Sequence, residues 1–486
     1  MRLFVSVSLL SQFPNLVSLS SSHNTMLLSR LPLQLLGLAL WTGLSCQSDE
    51  IVSRDVCILG GGATGTYAAV QLLERGQSVV VVEKKDRLGG HAETLYLPNG
   101  ESIDYGILAY FNEPVVRDFF HLLNVEHEIY IPGGLRTDYI NFKTGKRVPH
   151  LSNPFGLIGA LDRYRDALGQ FNFLETGGYY LPDDVPEVLL RPFREFVEEH
   201  DLQDALPIVF IYAYGLGDML EAPLLYVLQL FGASHINAWT HGPFIRPKNG
   251  AYDIFKQAEK HIGRENILYD TTAVNTTRDS AGVEIVVESN GFRQTIRAKK
   301  LLVTFPPLLS NLQGFNLDST ETALFEKWIY TSLYVSAVNN SGIPDGLNVF
   351  NVDPAQPQDL PVQPFQWTLF FSGVAGYYTT ATVGDENMTQ ESANKLVLDN
   401  LHRMGNGTFD IDSPEIAASD SHTPAAMMVP VEEIRAGFYN KLYALQGRRN
   451  TWYSGYSFYT DYSAQLWNYT LSVVDMMSER EVHDEL

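Results

Sequence analysis

The chain has 486 residues, of which 45% are hydrophobic and 19% are charged, a composition that supports a large core and excludes wholesale disorder. With 34 Lys and Arg against 56 Asp and Glu, the formal net charge is −22, which argues against nucleic acid or an anionic membrane surface as a partner because both require a basic face. The two cysteines, Cys46 and Cys57, exclude a disulfide scaffold, a cysteine-rich zinc site and a C-x-x-C redox centre.

Residues 1–45 have the pattern of a secretory signal peptide. The segment from Met26 to Ser45 carries one basic residue, Arg30, followed by a leucine-rich stretch and by small residues suited to cleavage before Cys46. Residues 1–25 precede this pattern and are consistent with a start codon placed too early. The apolar stretch is shorter than the roughly 20 residues of a membrane span, so we expect cleavage and no stable membrane span. An uncleaved signal anchor is the alternative.

A strand–turn–helix–strand unit opens the remaining chain. The apolar run Asp55–Leu59 predicts a strand, residues 64–74 predict a helix that ends before Gly76, and Ser78–Val82 predicts a second strand. Four consecutive valines are typical of a parallel strand that is buried on both faces. The pattern predicts an α/β fold with a parallel sheet.

The turn between the first strand and the helix fits a dinucleotide. In its G-x-G-x-x-G motif, the first glycine permits a tight turn, the second allows a pyrophosphate to approach the backbone, and the third lets helix and strand pack closely. The helix N-terminus offers free N–H groups to phosphates, and an acidic residue after the second strand can accept hydrogen bonds from a ribose. The predicted binding residues are Gly60, Gly62, Ala63, Thr64, Gly65 and Glu83. The alternative is a glycine turn that only packs an ordinary βαβ unit.

The middle of the chain divides into a helical part and parts with strand patterns. Residues 112–240 are mostly helical in pattern, with proline breaks. An amphipathic helix over residues 251–262 is followed by antiparallel strands up to residue 303. Residues 352–364 predict a loop rich in Pro and Gln, and residues 369–383 predict strands.

The C-terminal part predicts two more helices, over residues 434–446 and 464–477, and ends in a targeting signal. The last four residues, His483–Leu486, read HDEL, the address recognised by the retrieval receptor of the endoplasmic reticulum. We therefore expect residence in the lumen, and the alternative is a coincidental acidic tail. Five N-x-[ST] sequons fit that compartment: Asn275, Asn339, Asn387, Asn406 and Asn468. Asn275 is expected to be the least favourable acceptor because it lies in a predicted core strand.

A second glycine motif follows Glu83 directly and carries a family resemblance. It resembles a motif of the flavin-containing amine-oxidoreductase superfamily, R-x-G-G-R-x-x-[ST], which lies along the pyrophosphate of FAD and is followed by a D-x-G strand. The matching residues are Arg87, Gly89, Gly90, Thr94 and Asp104–Gly106, with His91 in the place of the second Arg. The paired glycines allow close backbone approach, and Arg87 can neutralise a phosphate.

The resemblance extends over most of residues 53–477 and is greatest to the fungal β-cyclopiazonate dehydrogenase group. It implies that Val274 contacts the adenine and that the glycine turn at Gly455 lies beside the flavin. It also implies a Rossmann-like FAD-binding domain with an interleaved substrate-binding domain of mixed sheet and helices. The expected boundaries are 53–110, 240–310 and 430–477 for the first domain, and 111–239 and 311–429 for the second.

The activity that the resemblance implies is an FAD-dependent oxidase or dehydrogenase for a small, largely apolar metabolite. We expect a place in fungal secondary metabolism, oxidative ring closure in some members, and O₂ as the electron acceptor. Amine oxidases of this clan often place a Lys near the flavin on the first strand of the substrate domain, but Ile329–Val338 contains none. The alternatives are a thioether oxidase similar to prenylcysteine oxidases, an amine oxidase, and a non-catalytic flavin-binding protein. The sequence assigns no catalytic base and no metal ligand.

His91 leaves two interpretations open. Its unperturbed pKa of about 6.5 makes it a poorer phosphate ligand than Arg at neutral pH. The group that the chain resembles is associated with histidyl-linked FAD, which implies a covalent bond from the imidazole to the 8α-methyl group. The other interpretation is a neutral histidine that donates one hydrogen bond to a phosphate or a backbone carbonyl.

Overall fold

A computed structural model of the protein describes residues 51–130, 136–149, 154–241 and 244–484. The signal-peptide prediction, and the last two residues of the HDEL prediction, lie outside these ranges.

The described chain alternates short strands and helices. The strands are β1 (Ile51–Leu59), β2 (Val79–Val82), β3 (Thr94–Tyr96), β4 (Ser102–Asp104), β5 (Tyr110–Phe111), β6 (His127–Tyr130), β7 (Arg136–Asn141), β8 (Lys146–Arg147), β9 (Phe244–Pro247), β10 (Ile267–Leu268), β11 (Thr272–Asp279), β12 (Gly282–Ser289), β13 (Phe292–Val303), β14 (Ile329–Asn339), β15 (Leu347–Asn351), β16 (Phe365–Gln366), β17 (Thr368–Phe371), β18 (Tyr378–Gly384), β19 (Glu415–Ser421), β20 (Ala425–Met428) and β21 (Thr451–Tyr453). The α-helices are α1 (Ala63–Glu74), α2 (Pro114–Leu122), α3 (Pro154–Leu168), α4 (Phe193–Glu199), α5 (Leu206–Ala213), α6 (Leu224–Leu230), α7 (Ala233–His241), α8 (Asp253–Ile262), α9 (Ser319–Phe325), α10 (Gln390–Gly405), α11 (Val431–Arg435), α12 (Phe438–Tyr443) and α13 (Ser463–Asp484).

The first large sheet is the parallel sheet that the valine run predicts. Strands β10, β2, β1 and β13 lie side by side and run parallel. β12 and β11 continue the sheet as an antiparallel hairpin, and β21 pairs in parallel with residues 301–303 of β13. All four valines of β2 are buried. Helices α1 and α13 pack together through the stacked rings of Tyr67 and Trp467, whose centroids are 5.3 Å apart.

The second large sheet is mixed and has the order β19-β14-β18-β17-β15-β7-β8. In addition, β16 pairs with β18, and β20 pairs with β14. Most of its pairs are antiparallel, but β7 runs parallel to β15. α10 packs against this sheet through buried residues such as Val397 and Leu401, which form a core cluster with Val338 and Leu369. The chain thus combines a Rossmann-like domain with a mixed-sheet substrate domain, the predicted fold class. In the described ranges, no helix combines the length and apolar composition needed to cross a bilayer.

Two predicted elements differ in detail. Residues 112–240 are mostly helical as predicted, but β6, β7 and β8 lie within residues 127–147. The partner of β7 is β15, more than 200 residues away, so no local pattern marks it. The predicted helix over 434–446 is divided into α11 and α12 by Gly437, which has a left-handed backbone with φ of 76°. The predicted helices at 251–262 and 464–477, the loop at 352–364 and the strands at 369–383 are confirmed.

Candidate active site

The carboxyl ends of the parallel strands bring together segments that are far apart in the sequence. Gly60, Glu83, Thr304 and the turn at Gly455 follow β1, β2, β13 and β21. Because these strands are parallel neighbours, their carboxyl ends lie at one edge of the sheet. Crevices at this edge are where open α/β sheets bind ligands.

The three glycines of the first motif have separate roles in the geometry. Gly60 has φ of +103°, and its carbonyl accepts a hydrogen bond from Thr304 Oγ1 at 2.9 Å. A Cβ at Gly65 would lie 1.9 Å from the Gly60 carbonyl oxygen, so this position requires glycine for packing. A Cβ at Gly62 would meet only Gly90 Cα, at 3.8 Å. The surface at Gly62 is therefore open, and α1 begins there at Ala63 and Thr64 without a side-chain cap on its N–H groups.

The second glycine motif lies against the first. The Gly89 N–H donates to the Gly61 carbonyl oxygen at 2.8 Å. A Cβ at Gly90 would lie 3.0 Å from Gly62 Cα, and both Gly89 and Gly90 have positive φ. Two glycine-lined backbone segments and an uncapped helix N-terminus form a cradle that fits a pyrophosphate.

Glu83 is fixed beside this cradle. Its carboxylate is buried and accepts hydrogen bonds from the Gly61 N–H at 2.6 Å and the Lys85 N–H at 2.7 Å. The position after β2 is the one that sequence reasoning assigns to ribose binding. Binding of a ribose by Glu83 stays a prediction.

Arg87 is held in an ion-pair network that the sequence did not indicate. Its guanidinium donates a hydrogen bond to the Glu93 carboxylate. Lys85 Nζ lies 3.1 Å from the same carboxylate. Lys85 also pairs with Asp420, at 2.8 Å, at the end of β19. Burial and the hydrogen bond with Asp420 raise the pKa of Glu93, while the pKa of Asp420 is lowered by that hydrogen bond and by Lys85 despite its burial. The network joins the glycine cradle to the second sheet, and phosphate neutralisation by Arg87 stays a prediction.

His91 packs face to face on His422, the residue after β19. The ring centroids are 4.0 Å apart with an interplanar angle of 12°. Burial and the nearby Lys85 charge lower the pKa of His91 to about 4, and burial with the neighbouring His91 holds the pKa of His422 well below its usual value. Both rings are therefore neutral at pH 7. The His91 ring also lies 6.4 Å from that of Tyr456, next to Gly455.

Gly455 and Val274 lie in the elements expected for them. Gly455 has φ of +121°, and a Cβ there would lie 3.0 Å from the Thr304 carbonyl oxygen. Thr304 thus contacts both the Gly455 turn and the Gly60 turn. Val274 lies in β11 at a bulge between Ala273 and Asn275, and it is half-buried. A contact of Val274 with adenine stays a prediction.

The sequons differ in accessibility. Asn387, Asn406 and Asn468 are exposed, and Asn339 is half-buried. Asn275 lies in a strand as predicted, but the expectation of a core position is wrong because its side chain is exposed.

The chain is similar to known proteins in both fold and sequence. Residues 58–123 match the family described as NAD(P)-binding Rossmann-like domain. Among solved structures, a CLA-producing fatty acid isomerase from P. acnes has a TM-score of 0.71 at 20% identity and covers 87% of this chain and 98% of its own. A putrescine oxidase mutant has a TM-score of 0.63 at 14% identity, with 89% and 100% coverage. These likenesses show a flavin amine oxidase-like fold.

Sequence relatives are much more similar. The beta-cyclopiazonate dehydrogenase of Aspergillus oryzae is 39% identical over 445 residues, which is 91% of this chain and 96% of the relative. The FAD-dependent oxidoreductase dpasF of Apiospora sacchari is 33% identical over 87% of this chain and 92% of its own length. The predicted family is therefore confirmed, and the name of the dpasF relative supports FAD as the cofactor. The chain belongs to the family of fungal FAD-dependent oxidoreductases that includes the β-cyclopiazonate dehydrogenases.

Proposed function

We propose that this FAD-dependent oxidoreductase oxidises a small, largely apolar metabolite of fungal secondary metabolism, with ring closure where the substrate carries an internal nucleophile. FAD supplies the hydride acceptor, and O₂ is the proposed final electron acceptor. Gly60, Gly62, Gly89 and Gly90 would hold its pyrophosphate in the cradle that they form. The substrate would bind to the residues that lie next to the Gly455 turn in the structure.

One observation carries the proposed substrate class: aromatic side chains form a wall directly beyond the Gly455 turn, around a cavity of about 30 Å³ that would have to widen to admit the substrate. Its walls come from the helical part of the substrate domain, from β20 and from residues 456–461. The lining residues include Tyr179, Leu216, Tyr226, Met427, Met428, Tyr456 and Tyr459. Aromatic and thioether side chains are suited to an apolar ligand, which they orient through a small number of polar groups.

The experiment uses the purified, flavin-bearing protein without oxygen. β-Cyclopiazonate, named for a relative, is the first probe, a prenylated cysteine tests the thioether oxidase, and a primary amine tests the amine oxidase. Bleaching of the flavin by β-cyclopiazonate, followed by formation of H₂O₂ when O₂ is admitted, supports the proposal. Bleaching by the thioether or amine alone supports that alternative, and flavin that no probe reduces supports a non-catalytic binding protein.

We also propose that His91 tethers the cofactor. Its neutral imidazole has a free electron pair at pH 7, because burial lowers its pKa to about 4, and it directly follows the glycine cradle. One imidazole nitrogen would bond to the 8α carbon in place of one of its hydrogens. The 8α carbon and the imidazole N–H would each release a proton, and the two electrons would be taken up by the flavin and passed to O₂.

The His91 tether predicts a simple result on acid precipitation. The yellow colour should pellet with the wild-type protein and remain in the supernatant with His91→Ala. His422→Ala is the matched control because it removes the stacked partner ring, and its pellet should stay yellow. A colourless wild-type pellet, or a yellow His91→Ala pellet, would contradict the tether.

We propose residence in the lumen of the endoplasmic reticulum, supported by HDEL at His483–Leu486, by the signal-peptide pattern and by exposed sequons such as Asn387 and Asn406. Deleting the last four residues should shift most of the protein into the medium, measured by immunoblot of cells and medium. Replacing HDEL by four alanines is the length-matched control and should do the same. Retention of both variants at the wild-type level would overturn retrieval, and no mass loss with an N-glycosidase would overturn entry into the lumen.

A further inference from the structure

Asp461 is a carboxyl group in the wall of the aromatic cavity. It lies in the segment between β21 and α13, five residues after Tyr456, and both line the cavity. The cavity has a volume of about 30 Å³, which is enough for a water molecule. Asp461 is exposed to solvent at a point where it borders this cavity.

The surroundings of Asp461 are aromatic and uncharged. The negative charge of Asp461 raises the pKa of four nearby tyrosines: Tyr179, Tyr214, Tyr456 and Tyr462. His235 contacts the Tyr462 ring, with centroids 4.2 Å apart, and burial lowers its pKa to about 3, so it is neutral. Within the described part of the chain, no cation pairs with Asp461.

A second polar side chain of the same cavity has one buried atom without a hydrogen-bond partner among the described residues. Gln229 is buried, and its Nε2 donates to the Gly178 carbonyl oxygen at 2.6 Å. Its Oε1 is buried without a hydrogen-bond partner among the described residues. Buried acceptors in native proteins are nearly always paired with protein or ordered water, so this cavity wall indicates a donor from a bound water or ligand.

Desolvation by the protein around it raises the pKa of Asp461 to about 6. The group is therefore mainly a carboxylate at pH 7, yet a stronger base than an ordinary Asp. A base with a pKa near the working pH is suited to proton transfer.

From this placement we infer that Asp461 accepts the proton that the substrate loses during oxidation, directly or through one water. The inference rests on the proposed function. When a hydride leaves the substrate for FAD, the substrate must also lose one proton to become a neutral imine, carbonyl or alkene. The N–H, O–H or C–H bond breaks heterolytically, its electron pair stays with the product, and its proton forms an O–H bond on Asp461. The carboxylic acid then returns the proton to water.

The first test is kinetic and uses Asp461→Asn, which keeps the shape and removes the charge. Anaerobic flavin reduction by β-cyclopiazonate should slow by about 10²–10⁴-fold, the usual range for loss of a general base. The wild-type rate should fall below about pH 6, where the carboxylate is protonated, and the variant should lack this acid limb. Asp475→Asn is the matched control, because Asp475 is exposed on α13 and pairs with Arg75, and its pH profile should match the wild type.

The second test does not depend on a substrate. Infrared difference spectra should show the C=O stretch of one protonated carboxyl group appearing as the pH is lowered through about 6 in the wild type and in Asp475→Asn, but not in Asp461→Asn. An unchanged band in Asp461→Asn, or flavin reduction at the wild-type rate with the acid limb retained, would overturn the inference and leave the proposed function intact. Wild-type flavin that no probe reduces would contradict the proposed function, and the infrared band would still test the predicted protonation of Asp461.

Discussion

Gly62→Ala is expected to give a folded protein that purifies with at least tenfold less FAD than the wild type. Gly62 has φ of −68° and ψ of −172°, which alanine adopts without strain. The added methyl group would meet only Gly90 Cα at 3.8 Å, so the fold tolerates it. The methyl group would, however, occupy the cradle in which a pyrophosphate approaches the backbone. Flavin absorbance per protein and the far-ultraviolet circular dichroism spectrum measure the two effects separately.

Three other substitutions serve as comparisons for Gly62→Ala. Gly169→Ala should keep its FAD, because no atom lies within 4 Å of the added Cβ. Gly65→Ala should fail to fold or lose much of its stability, because the Cβ would lie 1.9 Å from the Gly60 carbonyl oxygen. Glu83→Ala should lose both FAD and stability, because it leaves the Gly61 N–H without its acceptor. A Gly62→Ala protein with wild-type FAD content would show that this cradle does not hold the cofactor.

The parts of the site that the sequence predicts are those encoded by local spacing. Gly60, Gly62, Gly65 and Glu83 belong to one βαβ unit, whose backbone geometry is set within 30 residues. Gly89 and Gly90 follow it directly. These residues could be recognised because Gly60 is required by the turn and Gly65 by close packing, while Gly62 leaves the backbone open to a ligand.

The residues that the sequence missed reach the site through long-range pairing. Asp420 and His422 lie at the end of β19, and they meet Lys85 and His91 because β19 pairs with β14 at the edge of the second sheet. No spacing motif links residue 91 to residue 422. The position of Asp461 beside the cavity could not be predicted from the sequence either, because its aromatic surroundings come from separate segments that meet at the cavity.

Arg278→Met is expected to destabilise the protein by about 3–5 kcal/mol at pH 7. Arg278 lies in β11 with a fully buried side chain and forms two hydrogen bonds of 2.8 Å to the carboxylate of Glu321 in α9. It also donates to the Tyr453 hydroxyl group at 3.2 Å, which links the pair to β21. Methionine would fill much of the volume but leave the buried Glu321 carboxylate with only the more distant Arg449, at 3.6 Å, as a counter-charge. Thermal unfolding at pH 7 measures the loss.

The pH dependence of this defect has a defined sign. In the wild type, burial alone would raise the pKa of Glu321, but the hydrogen bonds and charge of Arg278 hold it below its usual value. The pair therefore stabilises the fold above the unfolded pKa of about 4.3, and this contribution is lost as the pH falls through the lower folded value. Without Arg278 the folded pKa of Glu321 rises, so the deficit of Arg278→Met should shrink as the pH is lowered toward 4.

The double variant Arg278→Met/Glu321→Leu separates an unpaired charge from lost packing. Replacing both partners of a buried ion pair by apolar groups is often nearly neutral, so most of the stability should return at pH 7 and the pH dependence of the deficit should disappear. The Tyr453 hydroxyl group then loses both its donor and the Glu321 acceptor at 2.7 Å, which should leave a residual cost of about 1 kcal/mol. A double variant as unstable as Arg278→Met at both pH values would mean that the network stabilises the fold through packing rather than through charge.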